Sequence, residues 1–438
     1  MTSSAHESRV SAPRYTHIRF IKELRFLRGF YFFSTRWHHC WMKGFLAFPV
    51  LLIFLSACAN KPFLPSPIES MTFTERAVTQ TQEVVEVATA VPGADEVVAL
   101  TGLDLYSQGI QPIWIRIQNQ GTKRIRLAIW SIDNEYFSPL EVAWKNRKGY
   151  SEKGRVEMER WFLESKMPRF IPPGESRSGY VYTHLKKGTK GFNLDVYTSG
   201  HSYNFTFFVP VPGFRADYTD IDFKNLYSED EIQKYDLVEF RVALESHACC
   251  STDVAGREGD PLNVVFVGTG LAVRRALLRG DWEETESNSL DTAFSREHRY
   301  HGRQPDGIFR VARPDGSETK ELRLWLAPMR VNDESVWMGQ ASYDMGGGLV
   351  QRIFNEYRLD PDIDDARMFV MQNFWYSQSL ARMGIVGGIP NASIDAPRRN
   401  FRNSEYFTSG QRVVLFVSET PVALDEVVLL PWELLKID

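Results

Sequence analysis

Between about residue 97 and residue 214 the chain repeats one unit, a short β-branched or aromatic run followed by a turn signal. Ile113–Ile117 and Ile125–Trp130 flank Asn119-Gln120-Gly121-Thr122, and Gly179–Tyr182, Phe192–Tyr197 and Tyr203–Val209 follow, each bounded by Gly, Pro or Ser. Side chains of a strand alternate between two faces, so such runs can each bury one face. Short strands at this spacing predict an all-β, two-sheet sandwich of immunoglobulin type. Glu157–Lys166 does not alternate and reads as a helix or an irregular insertion.

The second half changes period. Leu262–Val267 is continuously apolar, as in a strand buried on both faces, and Gly268-Thr269-Gly270 then leads into helical spacing over Leu271–Leu278. The glycines lack the third member of a dinucleotide fingerprint, because position 273 is Val273, and read as a tight strand-to-helix turn. Leu322–Leu326, Val336–Ala341 and Val413–Val417 read as strands, and Ala366–Met383 as a helix with Phe369, Val370, Phe374 and Leu380 on one face. This mixture predicts an α+β or α/β domain over 261–438. Between the halves, 215–260 is rich in Asp and Glu and reads as a linker, with a short strand at 237–244.

Upstream, Phe45–Leu55 is an apolar run too short for a comfortable membrane span. It ends in Leu55-Ser56-Ala57-Cys58. Met42, Lys43, that run and Cys58 together resemble a bacterial lipoprotein signal, which would leave Cys58 as an acylated (palmitate-bearing) first residue. Residues 1–41 are basic and aromatic, and read as upstream translated sequence with Met42 the start, or as a long leader from Met1. The expected map is 1–57 removed, 58–96 lipid anchor and Pro-rich tether, 97–214 sandwich, 215–260 linker and 261–438 the mixed domain. Ala59, not Asp, follows the cysteine. By resemblance to such lipoproteins this implies the outer membrane, facing the periplasm, with the inner membrane as the alternative.

Without residues 1–57 the chain carries 43 Lys and Arg against 53 Asp and Glu. So acidic a chain has no basic stripe for phosphate contacts, which argues against nucleic acid as a partner. Cys249 and Cys250 are adjacent, closer than an ordinary disulfide spans, and are expected as inert thiols. His247-Ala248-Cys249-Cys250 is at most half a metal site, since a structural zinc wants four ligands in recognisable spacing. No metal or cofactor is expected.

Two clusters stand out. Asp360, Asp362, Asp364 and Asp365 start like a calcium loop, but Asp365 stands where glycine belongs and Met371 where glutamate belongs. Acids at this place suit the N-terminus of the following helix. Arg299–Arg303 places His301, a possible base or ligand, near Arg303, an anion holder. No Ser or Cys has a recognisable base partner, so no triad is predicted and the enzyme reading leans to no.

The tract from Pro261 to about Gly388 resembles the LssY-like C-terminal domain. The residues that carry this are Pro261–Gly268, Arg299–Arg303, Leu322–Pro328, Val336–Gln340, Tyr343-Asp344 and Asp360–Arg367. In some relatives the domain follows lipid-phosphate phosphatase segments. The resemblance supports an envelope location and marks His301, Arg303, Asp344, Asp360, Asp362, Asp364, Asp365 and Arg367 as candidate ligand-binding residues. It supplies no mechanism. Two functions follow: a tethered envelope binding or assembly module with a possible envelope protein partner, or a hydrolase or ligand-binding enzyme acting on phosphate- or lipid-like substrates. Convergence of His301, Arg303, Asp344 and Asp362 on one pocket would favour the second.

Overall fold

A computed structural model describes residues 61–286, 292–312, 318–345 and 358–432. Cys58 and the apolar run before it lie outside the described residues. Among those described, no helix is long and apolar enough to cross a membrane.

The first half is built from β1 (Val78–Gln82), β2 (Val85–Ala90), α1 (Ala94–Thr101), β3 (Ile110–Asn119), β4 (Ile125–Ala128), α2 (Pro139–Asn146), α3 (Glu152–Glu164), β5 (Phe170–Ile171), β6 (Ser176–His184), β7 (Thr189–Thr198) and β8 (His201–Pro210). Two antiparallel sheets, ordered β1-β2-β3-β6 and β5-β4-β7-β8, face each other. Val85, Val87, Ile113, Ile115 and Ile117 of one meet Leu127, Leu194, Val196, Phe205 and Phe207 of the other. The helical insertion packs on the outer face of the first sheet, where Val142, Met158 and Phe162 bury against Phe73, Trp114, Tyr180 and Tyr182.

The expected tether is folded. Phe63 and Phe73 are buried, β1 and β2 belong to the first sheet, and Lys61 exchanges backbone hydrogen bonds with Gly149 and Ser151 at 3.0 and 3.1 Å. The Pro-rich stretch carries aromatics that bury, and their apolar area outweighs its loop-like composition.

The second half contains β9 (Gln233–Tyr235), α4 (Leu237–Ser246), β10 (Cys250–Thr252), β11 (Glu258–Pro261), β12 (Val264–Val267), α5 (Gly270–Arg279), β13 (Glu283–Glu284), β14 (Gly307–Ala312), β15 (Glu318–Val331), β16 (Glu334–Met345), β17 (Arg358–Leu359), α6 (Ile363–Tyr376), β18 (Leu380–Val386), β19 (Arg398–Arg399), β20 (Glu405–Tyr406), β21 (Arg412–Val417) and β22 (Val428–Leu429). A large mixed sheet runs β13-β14-β15-β16-β12-β21-β18-β22, with β9 added to β15 and β17 to β16. Helices α5 and α6 cover one face through Ala272, Val273, Ala276, Ala366, Val370 and Phe374. Helix α4 covers the other through Phe240 and Leu244.

The expected linker is therefore part of this domain. Residues 237–244 are helical, not a strand, because Asp236 and Glu239 form a capping box around a helix start. The helix expected over Ala366–Met383 stops at Tyr376, and Leu380 begins β18. Gln378 with φ 57° breaks the helical run. Cys249 and Cys250 are joined in a disulfide rather than free.

Residues 59–438 cluster as one compact unit. The joint between the halves centres on Glu284, buried on β13. Its carboxylate accepts from Thr189 N at 2.9 Å, from Arg274 Nε at 2.7 Å and from the Tyr218 hydroxyl. Gly188, at φ +77°, lets the sandwich backbone approach, since a Cβ there would lie 2.5 Å from Glu284 Oε2.

Candidate functional site

Two different environments occupy the two faces of the large sheet. On the α5 face a cleft of about 610 Å³ opens between the strands and the segment that joins the halves. Its floor is Phe309, Leu324, Leu326 and Trp337; its roof is Tyr218, Phe223, Tyr227 and Ile232. The end of α5 at Thr269 and Gly270 closes one side. The roof is pinned. Asp217 accepts from Ile308 N at 3.0 Å and from Thr285 Oγ1 at 2.9 Å, Tyr227 donates to Leu326 O at 2.9 Å, and the Phe223 ring meets the Trp337 ring edge-on at 5.5 Å.

Polar groups inside the cleft are mostly spent. Trp337 Nε1 donates to Gly268 O at 3.1 Å, and Thr269 Oγ1 accepts from Ala272 N at 3.1 Å as the helix cap. Asp306 holds Arg303 through two contacts of 2.8 and 3.1 Å and accepts from Leu326 N at 2.7 Å. Burial pushes its carboxyl up despite Arg303. What remains for a guest is apolar surface, with Lys224, Glu229 and Arg330 at the rim. The volume lies within the roughly 300–1,000 Å³ of small-molecule sites.

On the other face the same strands bury ions. Glu321 accepts from Arg310 Nε at 2.7 Å and pairs with Arg323 Nη2 at 2.6 Å. Asp260 accepts from Gln340 Nε2 at 2.7 Å and from Asn400 Nδ2 at 2.6 Å, and lies 3.8 Å from Arg323 Nη1. Ser251 Oγ is 2.9 Å from His298 Nδ1, whose Nε2 is 3.7 Å from Asp260. Burial and then Arg323 hold His298 well below its usual range, so it is neutral. Serine, histidine and aspartate in line suggest a nucleophile and base. Yet Ser251 is fully buried, and its hydroxyl is held between His298, Asp260 O and Gln340, so it offers no approach to a substrate.

The residues singled out from the sequence fall into two groups: His301 and Arg303 on one turn, and Asp344 beside the Asp360–Arg367 tract, where β16 pairs with β17 and Asp360 N donates to Tyr343 O at 2.9 Å. Arg303 is committed to Asp306 and Leu326 O. His301 sits exposed on a turn at φ 48°, its ring 4.3 Å from that of Tyr300. Burial and Arg303 lower its pKa. Asp344 is buried at the end of β16, in the field of Arg310. Asp362 caps α6, accepting from Asp364 N at 3.1 Å, and Asp360 accepts from Asp362 N at 3.0 Å. Asp364 accepts from Thr408 Oγ1 and Ser409 N at 2.7 and 2.8 Å and pairs with Arg367 at 3.0 Å. Asp365 lines a separate cleft with Phe369, Trp375 and Tyr376.

Cys249, Cys250 and Glu258 bring three donor atoms within 4.8 Å, but sulfurs bonded to one another are not thiolate ligands. Ser251, Asp260, His298 and Asn400 were not among the sequence candidates. Ser251 and Asp260 are nine residues apart on paired strands, but His298 and Asn400 are far from them along the chain, and nothing in the spacing links the four.

Residues 243–411, which include the last turn of α4 and most of the large sheet, match the family described as LssY C-terminus. The match begins before the expected boundary at Pro261 and takes in the cysteine pair. No curated protein matches the chain. The roof of the cleft, Tyr218–Ile232, precedes the matched segment.

Proposed function

We propose that the chain is an outer-membrane lipoprotein facing the periplasm, held by acylated Cys58, and that it acts as an envelope binding module. Its first half reads as an immunoglobulin-type sandwich and its second as an α+β ligand-binding domain. One observation carries the binding reading: the roofed cleft, apolar on floor and roof, whose inner polar groups on Trp337, Thr269 and Asp306 are already paired. A guest there gains by leaving water, at about 25 cal/mol per Å² of apolar surface. The hydrolase alternative has less support. Its candidate residues fall into two groups and most are committed to caps and ion pairs, and the buried Ser251–His298–Asp260 arrangement has no approach.

The test is binding of N-phenyl-1-naphthylamine, an uncharged apolar fluorophore, to the purified protein. Saturable binding at one site is expected. Ser335→Trp, which places a ring at a cleft-lining position, should abolish it without unfolding the protein. Absence of saturable binding, or binding unaffected by Ser335→Trp, would overturn the assignment.

A further inference from the structure

The chain gives its anchor almost no slack. Cys58 and Lys61 are three residues apart, and three trans peptide links reach at most about 11 Å. Lys61 is not loose: its backbone is bonded to Gly149 and Ser151, its ammonium lies 4.6 Å from the centre of the Tyr150 ring, and Phe63 is buried against Tyr150, Trp161 and Phe162. An acyl chain on Cys58 therefore fixes which surface of the folded chain lies beside the bilayer. That surface is the α2–α3 corner.

The corner has the chemistry of an interfacial surface. On α2, Leu140 and Trp144 stand one turn apart and outward, Trp144 at 59% exposure, while Val142 and Ala143 turn inward. Leu64, at 79%, is exposed beside the chain's first described residues. Around them are Lys61, Lys145, Arg147, Lys148 and Lys153, against Glu141, Glu152 and Glu157, the last paired with Lys153 at 3.7 Å. Glu141 is paired with Lys145 at 3.2 Å, and Arg147 stacks over the Trp144 ring. A local basic excess on a chain that is acidic overall complements an anionic lipid surface. Tryptophan and leucine beside it suit the headgroup boundary.

Resting on the lipoprotein reading of Cys58, we infer that the α2–α3 corner lies flat on the anionic lipid surface, with Trp144 inserted at the headgroup level. The domain is then oriented on the membrane rather than swinging from a flexible tether.

The test uses full-length protein purified from membranes, its Cys58 acylation checked by intact mass. It is reconstituted into phosphatidylethanolamine–phosphatidylglycerol vesicles containing brominated lipid, which quenches tryptophan on contact. The wild type is expected to lose part of its fluorescence, and Trp144→Phe to lose that quenched component. Combined Lys145→Glu, Arg147→Glu and Lys148→Glu should weaken the quenching. If Cys58 is acylated and quenching is the same with and without Trp144, the orientation is wrong while the anchor stands. If the mass shows no acylation, the reach argument falls, and the orientation with it. Trp144, Lys145 and Lys148 are exposed and Arg147 is half-buried, so the variants are expected to fold, which an unchanged melting temperature checks.

Discussion

The two faces of β15 make opposite choices from one alternating sequence. Leu322, Leu324 and Leu326 turn to the α5 side, the last two lining the cleft, while Glu321 and Arg323 turn to the other side and are buried in an ion network. The apolar face leaves a space that its own side chains do not fill. The ionic face is buried, and its charges are matched by partners from β11, β14, β16 and the loops carrying His298 and Asn400. Unfilled apolar space is suited to a guest. A closed network of charges is suited to holding register, because any slip would strand a buried ion.

The largest effect should come from breaking the ionic face. Glu321→Ala leaves Arg310 and Arg323 without their carboxylate in a buried site, and about 3–5 kcal/mol of stability should be lost. Denaturant midpoints measure it. A loss below about 1 kcal/mol would mean the network does not hold the sheet.

Next is the joint. Glu284→Ala removes the acceptor for three donors, and about 2–3 kcal/mol is expected, since a hydrogen bond to a charged group carries about 1.5–3 kcal/mol and bonds that share one carboxylate do not add. Limited proteolysis should then cut within 215–235 in the variant and not in the wild type. Cleavage there in both would restore the expectation of a linker over 215–260.

The roof of the cleft titrates. Burial pushes Asp217 up to about 6, against the lowering effects of Thr285 and Arg296. A folded pKa above the unfolded one means that the native state holds the extra proton. Its contribution is complete in acid and is lost as pH rises from about 4 to about 6, by up to about 3 kcal/mol. Asp217→Asn should flatten this fall in urea midpoints. An unchanged pH profile would place the titration elsewhere.

Phe223→Ala sharpens the contrast from the cleft side. It removes half-buried roof rather than core, so binding of the apolar fluorophore should weaken about tenfold, or about 1.4 kcal/mol, with melting almost unchanged. A large drop in melting temperature with intact binding would make the roof structural. The smallest effect is expected at Asp362→Asn. Loss of a cap and its dipole term costs at most about 1 kcal/mol, and added calcium should not raise the melting temperature of either form. A calcium-dependent rise lost in the variant would reverse that assignment.

Periodicity alone gives the strands at Ile113–Ile117, Phe192–Tyr197 and Val413–Val417, the one read over Leu262–Val267 and observed over Val264–Val267, the turn into α5 and the acids that start α6, because these follow from local chemistry. The LssY-like tract was also readable, though its start was placed too late. The tether expected over 58–96 and the linker expected over 215–260 are both folded where the structure describes them, and for one reason. Proline-rich or acidic composition describes what a segment prefers when free, whereas Phe63, Phe73, Tyr218 and Phe240 bury against partners that the local sequence does not name. The candidate residues were chosen by type, and most are spent on ion pairs, caps or turns.

What the sequence determined by itself is the order of strands and helices, the acidic balance and the cysteine that closes an apolar run. Only tertiary structure decided that Leu324 and Trp337 share a cleft under Phe223, that Ser251, Asp260 and His298 meet in a sealed core, and that Lys61 is fastened beside Tyr150. Alternation says that neighbouring strand residues face opposite ways. Which face receives a helix, a roof or another charge depends on chain segments tens to hundreds of residues distant, and that pairing is written in no local pattern.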